Sequence, residues 1–250
     1  SSQGLIPTVI LLLGALLLGC ICYISIWGVP SFVVQRVEKA LLEKGIPSHI
    51  ETLKVTLWPR AVVTLKNVEL LDPEAMPEIR RPIVLLHEAD VALNWKKLIE
   101  GQVVPERVNV KGMNVTLPVD AGNPEKVFSV TGVNAELNLG RPGMVDIVKA
   151  DAVVQGIRVT AQGAFPIGQD DSGDFTLTAQ DMAAVREQLN QVLNYMDRVK
   201  WPDASPPRLI VNLSDDPKGG VRIGMDLQAP FLRYGKIMGR DFLFNGDYAD

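Results

Sequence analysis

Val110-Lys111-Gly112-Met113-Asn114-Val115-Thr116-Leu117 breaks the alternation that it begins. Side chains of a β-strand point to opposite faces in turn, so every second residue shares a face. Counting in twos from Val110 would put Gly112 and Asn114 on the face of Val110. The apolar residues are instead Val110, Met113, Val115 and Leu117. One face stays apolar only if an extra residue is absorbed between Val110 and Met113, as in a β-bulge. Glycine and asparagine suit the backbone angles that such an insertion needs.

The pattern recurs. Leu65-Lys66-Asn67-Val68-Glu69-Leu70 stands upstream and Val154-Gln155-Gly156-Ile157-Arg158-Val159 downstream, with Val130-Thr131-Gly132-Val133-Asn134-Ala135 as a weaker copy between. Each has a polar residue, then Asn or Gly, inside an alternating run. A bulge at the same place in successive strands bends each strand and curls the sheet. The expected product is a trough with one apolar and one polar face.

Alternation extends in both directions. Leu53, Val55 and Leu57 alternate with Thr52, Lys54 and Thr56, and Val63 and Leu65 lead to Val68 and Leu70. Ala89, Val91, Leu93 and Trp95 oppose Glu88, Asp90 and Asn94. Half-buried antiparallel strands have this signature. Upstream the period lengthens. Phe32, Val33, Val37, Ala40 and Leu41 predict an amphipathic helix over 31–44, with Ser31 as N-cap and Gly45 as C′ residue. Met182, Val185, Leu189, Val192, Leu193, Met196 and Val199 predict a second helix over 181–199, ended by Trp201-Pro202. Leu209–Leu213 and Val221–Ala229 predict a hairpin around Asp215-Asp216-Pro217-Lys218-Gly219-Gly220, and Phe242–Tyr248 one more strand.

Leu5–Trp27 carries no charge, and Tyr23 and Trp27 close it. Its 23 residues would span ~34 Å as a helix, enough for a bilayer core of ~30 Å. The aromatics suit the headgroup level. A cleaved signal has a shorter apolar stretch and a small-residue cleavage site. Leu17-Leu18-Gly19-Cys20 resembles a lipobox, but the residues beyond Cys20 stay apolar as far as Trp27. The expectation is a retained transmembrane helix.

The fold class expected is therefore mainly β with helices. An N-terminal transmembrane helix and an amphipathic helix precede a curved antiparallel β-groove, and a second helix–strand module follows. Residues 5–27 form the anchor, 30–180 the helix and groove module, and 181–250 a helix with strands, read as an incomplete second module.

Charge and motifs narrow the function. Net charge is −4 and both signs interleave, without the basic face of a nucleic-acid binder. The two cysteines, Cys20 and Cys22, lie in the apolar segment, so the body has neither a disulfide framework nor a thiolate metal site. His49 and His87 have no partner motif, and no H-E-x-x-H, G-x-S-x-G, Walker or G-x-G-x-x-G pattern occurs. Asp170-Asp171-Ser172-Gly173-Asp174 lacks the terminal Glu of an EF-hand and is read as a turn. Glu88 and Asp90 are read as solvated. The expectation is a protein without catalytic residues, metal or cofactor.

The order of parts resembles the N-terminal region of the AsmA-like family of bacterial envelope proteins. The resemblance spans roughly residues 5 to 165. It is carried by the uncharged anchor, the helix ending Ala40-Leu41-Leu42-Glu43-Lys44-Gly45-Ile46, and Leu53-Lys54-Val55-Thr56-Leu57. Val63-Thr64-Leu65-Lys66-Asn67-Val68-Glu69-Leu70, Ala89-Asp90-Val91-Ala92-Leu93, Leu98-Ile99-Glu100-Gly101 and Val108–Leu117 complete it. These are apolar positions, not a catalytic signature. The resemblance implies a cytoplasmic N-terminus, an inner-membrane anchor and a periplasmic body. It also implies a repeating β-groove that conducts phospholipids toward the outer membrane. About ten strands at ~4.8 Å each give ~50 Å, too short to bridge a Gram-negative periplasm without a longer chain or partner subunits.

Two functions stay open at this point. In the first, acyl chains of membrane phospholipids lie on Val55, Leu57, Leu65, Val91, Leu93, Val110, Val115 and Leu117. In the second, the chain is a structural or assembly factor of the envelope, or an accessory subunit of a membrane complex. The same face is then a closed core, covered by the 181–199 helix or another subunit. Both demand one apolar face.

Overall fold

The computed structural model describes residues 29–72, 81–120, 123, 125–166, 179–215 and 221–249. The segment Leu5–Trp27, the loop Asp170–Asp174 and the tip of the hairpin after Asp215 lie outside the described residues. Among the described residues no helix is long and apolar enough to cross a membrane.

The first element is helix α1, Ser31–Glu43. Its stripe of Val34, Val37 and Leu41 packs on the sheet. Ser31 is not the cap: Pro30 holds that position and no side chain caps the helix. Proline at the boundary fixes φ for helix entry and has no N–H to satisfy. The C-terminus follows expectation. Gly45 has φ 78, its N–H donates to Leu42 O, and Ile46 N–H donates to Leu41 O. Those two bonds close a Schellman motif, which needs a left-handed residue where Gly45 stands.

Strands β1 (Ser48–Thr56), β2 (Val62–Leu71), β3 (Pro82–Leu93), β4 (Pro105–Pro118), β5 (Val127–Asn138), β6 (Met144–Val154) and β7 (Ile157–Pro166) follow. A short helix α2, Trp95–Ile99, interrupts the β3–β4 connection, capped by Asn94 Oδ1 on Lys97 N at 3.1 Å. Helix α3, Ala179–Met196, leads to β8 (Val199–Lys200), β9 (Arg208–Asp215), β10 (Val221–Tyr234) and β11 (Ile237–Ala249). All eleven strands belong to one open sheet. Its order is β1 through β7, then β9, β10 and β11, with β8 against the far end of β10. Every pairing is antiparallel except β7 with β9. A parallel pair needs a crossover, and α3 lies on that connection. The strands after α3 thus continue the sheet begun before it.

The alternation breaks where the sequence marks it, in an unexpected form. Ile50 pairs with Val68, Val68 with Leu86 and Leu86 with Met113. One step along, Leu53 pairs with Leu65, Leu65 with Ala89 and Ala89 with Val110. Each strand spends three residues between those rows rather than two. Glu51, Asn67, His87 and Gly112 therefore lie opposite one another, outside the paired ladder. All four strands carry the extra residue, so no register shift arises among them at this line. Asn67 (φ 49) and Gly112 (φ 65) adopt left-handed backbone there. Beyond β4 the register does shift: between β4 and β5 around Met113, and between β5 and β6 from Thr131 to Asn134, where Gly132 (φ 63) is left-handed.

The copy at Val154 is corrected. Gln155 (φ 49) and Gly156 (φ 82) are the two central residues of the tight turn between β6 and β7, not a bulge. Two consecutive positive φ angles define a type I′ hairpin.

The core is small and lies at one edge of the sheet. Val34, Ile50 and Val68 form it, with Val37, Leu41, Leu53, Leu65, Leu70 and Leu86 packed around. Helix α1 therefore covers the apolar face of β1–β3. Helix α3 lies at the strand ends: Arg186 Nη2 meets Asp72 Oδ1 at 2.8 Å beyond β2, and Lys126 Nζ meets Asn194 Oδ1 at 2.6 Å before β5.

Candidate functional site

Two rows of apolar side chains cross the whole sheet. The first runs Leu53, Leu65, Ala89 and Val110 on β1–β4, then Ala135, Ala150 and Ala161 on β5–β7. It ends with Val211, Met225 and Gly246 on β9–β11. The second runs Val55, Val63, Val91 and Val108, then Leu137, Ile147 and Gly163, then Leu213, Ile223 and Tyr248. Residues of the two rows stand two apart along most strands and share a face. On β6 the spacing is three, from Ile147 to Ala150, and a register shift there keeps the face. A third row, Leu70, Val84, Val115, Val130, Val154 and Ile157, parallels them on β2–β7.

These residues are half-buried. In the first two rows Ala89 is buried, Tyr248 exposed, and all others intermediate. The first row is built of small side chains from β5 to β7, Ala135, Ala150 and Ala161, between Val110 on β4 and Val211 on β9. Among the described residues α1 covers this face over β1–β3 only, and contiguous apolar surface beyond it marks an interaction site.

The opposite face is charged and internally paired. Glu88 accepts from Lys66 Nζ at 2.9 Å and Lys111 Nζ at 2.5 Å, and Thr64 Oγ1 donates to Asp90 at 2.7 Å. Hydrogen bonds from Lys111 and Lys66 hold the Glu88 carboxyl down at about 2. The Glu88 carboxylate in turn raises Lys111, with Asp90 adding to the effect. Farther along, Lys149 pairs with Asp151 at 2.9 Å and holds that carboxyl below its ordinary value, and Gln162 donates to Asn212 at 3.0 Å. Charges satisfied among themselves leave this face little reason to take an apolar partner.

The eight residues expected on the apolar face fall as follows. Val55 and Val91 stand in the second row, Leu65 and Val110 in the first, and Val115 in the third. Leu117 pairs with Phe128 and is buried. Leu57 and Leu93 mark the ends of β1 and β3, where Leu93 N–H donates to Ala61 O. The sequence reading missed the other half of the face: Ala135, Ala150 and Ala161, and Val211, Leu213, Ile223 and Met225 beyond them. Alternation was visible in β9 and β10, but nothing local foretold their joining the same sheet.

His49 Nδ1 lies 3.2 Å from Glu38 Oε1, which also accepts from Ile50 N at 2.7 Å, so this histidine ties β1 to α1. His87 sits in the break line with its Cβ facing Gly112. Among the described residues no cluster of three or more His, Cys, Asp or Glu could hold a metal ion. No family model, curated protein or solved structure matches the chain.

Proposed function

We propose that this chain is a membrane-anchored lipid carrier whose apolar sheet face holds the acyl chains of phospholipids. The observation that carries the reading is the pair of apolar rows crossing all ten consecutive strands, half-exposed, with a charge-paired face behind them. An acyl chain offers flexible apolar surface without hydrogen-bonding demands, which suits rows that are aliphatic from β1 to β10. Burial of apolar area at ~25 cal/mol per Å² supplies the affinity. Rows that run across strands, not along them, give a path about 4.8 Å longer with each strand.

In this reading Leu5–Trp27 anchors the chain in the inner membrane and the body stands in the periplasm, in the manner of the AsmA-like proteins. The lipid then moves along the rows toward the outer membrane, and other envelope subunits complete the bridge. The competing reading, a scaffold with a closed β core, draws support from α1, which already seals the face over β1–β3. A photocrosslinking residue at Ala150, in the open middle of the face, separates the two. Crosslinked phospholipid is expected there and not from Lys149 on the opposite side. Val110→Asp should abolish that crosslink while the circular dichroism spectrum stays unchanged. A crosslink to protein instead, or lipid labelling that survives Val110→Asp, would overturn the carrier reading.

A further inference from the structure

Three connections meet at one end of the sheet: Leu57–Ala61 between β1 and β2, Asn94–Val104 between β3 and β4, and Leu139–Gly143 between β5 and β6. They are tied together. Leu93 N–H donates to Ala61 O at 2.8 Å, Asn94 N–H to Val104 O at 2.8 Å, and Leu139 N–H to Glu106 O at 2.8 Å. Pro59, Trp95 and Gly140, one from each connection, line a common hollow.

This end exposes large apolar side chains that no element among the described residues covers. Trp58 is 84% exposed, Ile99 73%, Val103 71% and Trp95 47%. Basic residues flank them: Arg60, Lys96, Lys97, Arg107 and Arg141, against Glu100 and Glu106. Arg141 pairs with Asp146, Arg107 lies 3.8 Å from Glu136 and Lys97 lies 2.9 Å from Glu100, so the end keeps a surplus of one positive charge in a chain of net charge −4. Tryptophans and aliphatics at loop tips with lysines and arginines behind them match an anionic bilayer surface, where the rings enter the headgroup layer and the cations meet phosphate.

The chain also enters the body at this end. Helix α1 runs antiparallel to β1, and Val29 N–H donates to Leu53 O at 2.8 Å, toward the end where β1 finishes. Val29, the first described residue, therefore lies on the half of β1 that leads to Trp58. We infer that the β1–β4 corner of this end docks on the surface of an anionic phospholipid bilayer, with Trp58, Trp95, Ile99 and Val103 inserted at headgroup depth and the rows rising from the membrane beyond β4. The inference rests on the membrane-anchored part of the proposed function and not on lipid carriage.

The test uses the full chain with Cys20 and Cys22 changed to Ser, reconstituted in vesicles of phosphatidylethanolamine and phosphatidylglycerol. A single cysteine replaces Ile99, or Glu125 at the opposite end, and carries an environment-sensitive fluorophore. The label at 99 is expected to shift to the blue and to be quenched severalfold by brominated lipid, while the label at 125 stays in water. Arg60→Glu with Lys96→Glu and Lys97→Glu should return the label at 99 to water, since each basic residue at an anionic surface contributes about fivefold in partition. A label at 99 as wet as that at 125 overturns docking, and the patch then belongs to a protein partner. Loss of the chain from vesicles in alkaline carbonate, with label 99 shielded at neutral pH, removes the anchor reading and keeps docking.

Discussion

A Cβ on Gly163, where φ is +122, would lie 1.9 Å from Leu213 O on the neighbouring strand. Gly132, at φ +63, has no atom within 4 Å of the same position. The two glycines separate backbone strain from close approach. Gly132→Ala should cost only the left-handed penalty of about 1–2 kcal/mol. Gly163→Ala adds a collision with main chain and should lower the denaturant midpoint further, loosening the β7–β9 pairing in hydrogen exchange. Equal midpoints would contradict this. Asn114 and Asn134 solve the matching problem of exposed N–H groups: Gly132 N donates to Asn114 Oδ1 at 2.8 Å and Gly112 N to Asn134 Oδ1 at 3.1 Å. Each copy of the motif supplies the acceptor that the other lacks. Glu88 sets a pH dependence. Its carboxyl, at about 2, lies below its ordinary value of 4.5, so the ionised form is the one that the fold stabilises. That contribution is complete above pH 4.5 and fades as pH falls toward 2. Glu88→Gln should cost about 1 kcal/mol at pH 7, as for a partly exposed pair. The gap from wild type should close in acid, as followed by thermal melts across that window.

Strand β11 is the element with most to manage. Among the described residues it is the last strand of the sheet, and Ile237, Met238, Phe242, Leu243, Phe244 and Tyr248 are all exposed along it. Protein edges are usually blunted by charge or proline, because a free row of N–H and C=O groups templates another strand. Leu243→Lys should raise the concentration at which the protein self-associates in detergent, read by analytical ultracentrifugation, with no change in β content. An unchanged association curve would show that the edge is not the contact. Elements also show what the sequence makes legible. The span of helix α1, its Gly45 terminus and the alternating strands could be read, since each depends on neighbours within a few residues, whereas its packed face runs through Val34 and leaves the expected Phe32 exposed. Gln155-Gly156 was misread because a bulge and a type I′ turn ask for the same left-handed angles. Only the partner strand tells them apart. The β7–β9 pairing was not readable at all, since a parallel contact across α3 leaves no local mark on either strand.

At the scale of the molecule, one sheet separates two chemistries. Charges pair with one another behind it, and aliphatic rows lie half-open in front. Half of the candidate site was legible: Leu65, Val55, Val91, Val110 and Val115 follow from the period-two pattern and its break. The small residues at the middle of the face were not, because alanine gives little signal of facing inward. Ala135, Ala150 and Ala161 become a feature only when registered side by side. The line of Glu51, Asn67, His87 and Gly112 has a consequence for how the chain tolerates changes of length. Loss of Gly112 alone would reverse the facing of everything beyond it in β4 and set Met113 against the wrong side of Leu86. Loss of all four together would leave every pairing among β1–β4 in step, with the apolar rows intact and those on either side of the line one residue closer. These strands thus keep count jointly: a single-residue deletion is an error in one strand, and the same deletion made across all four is a change of shape.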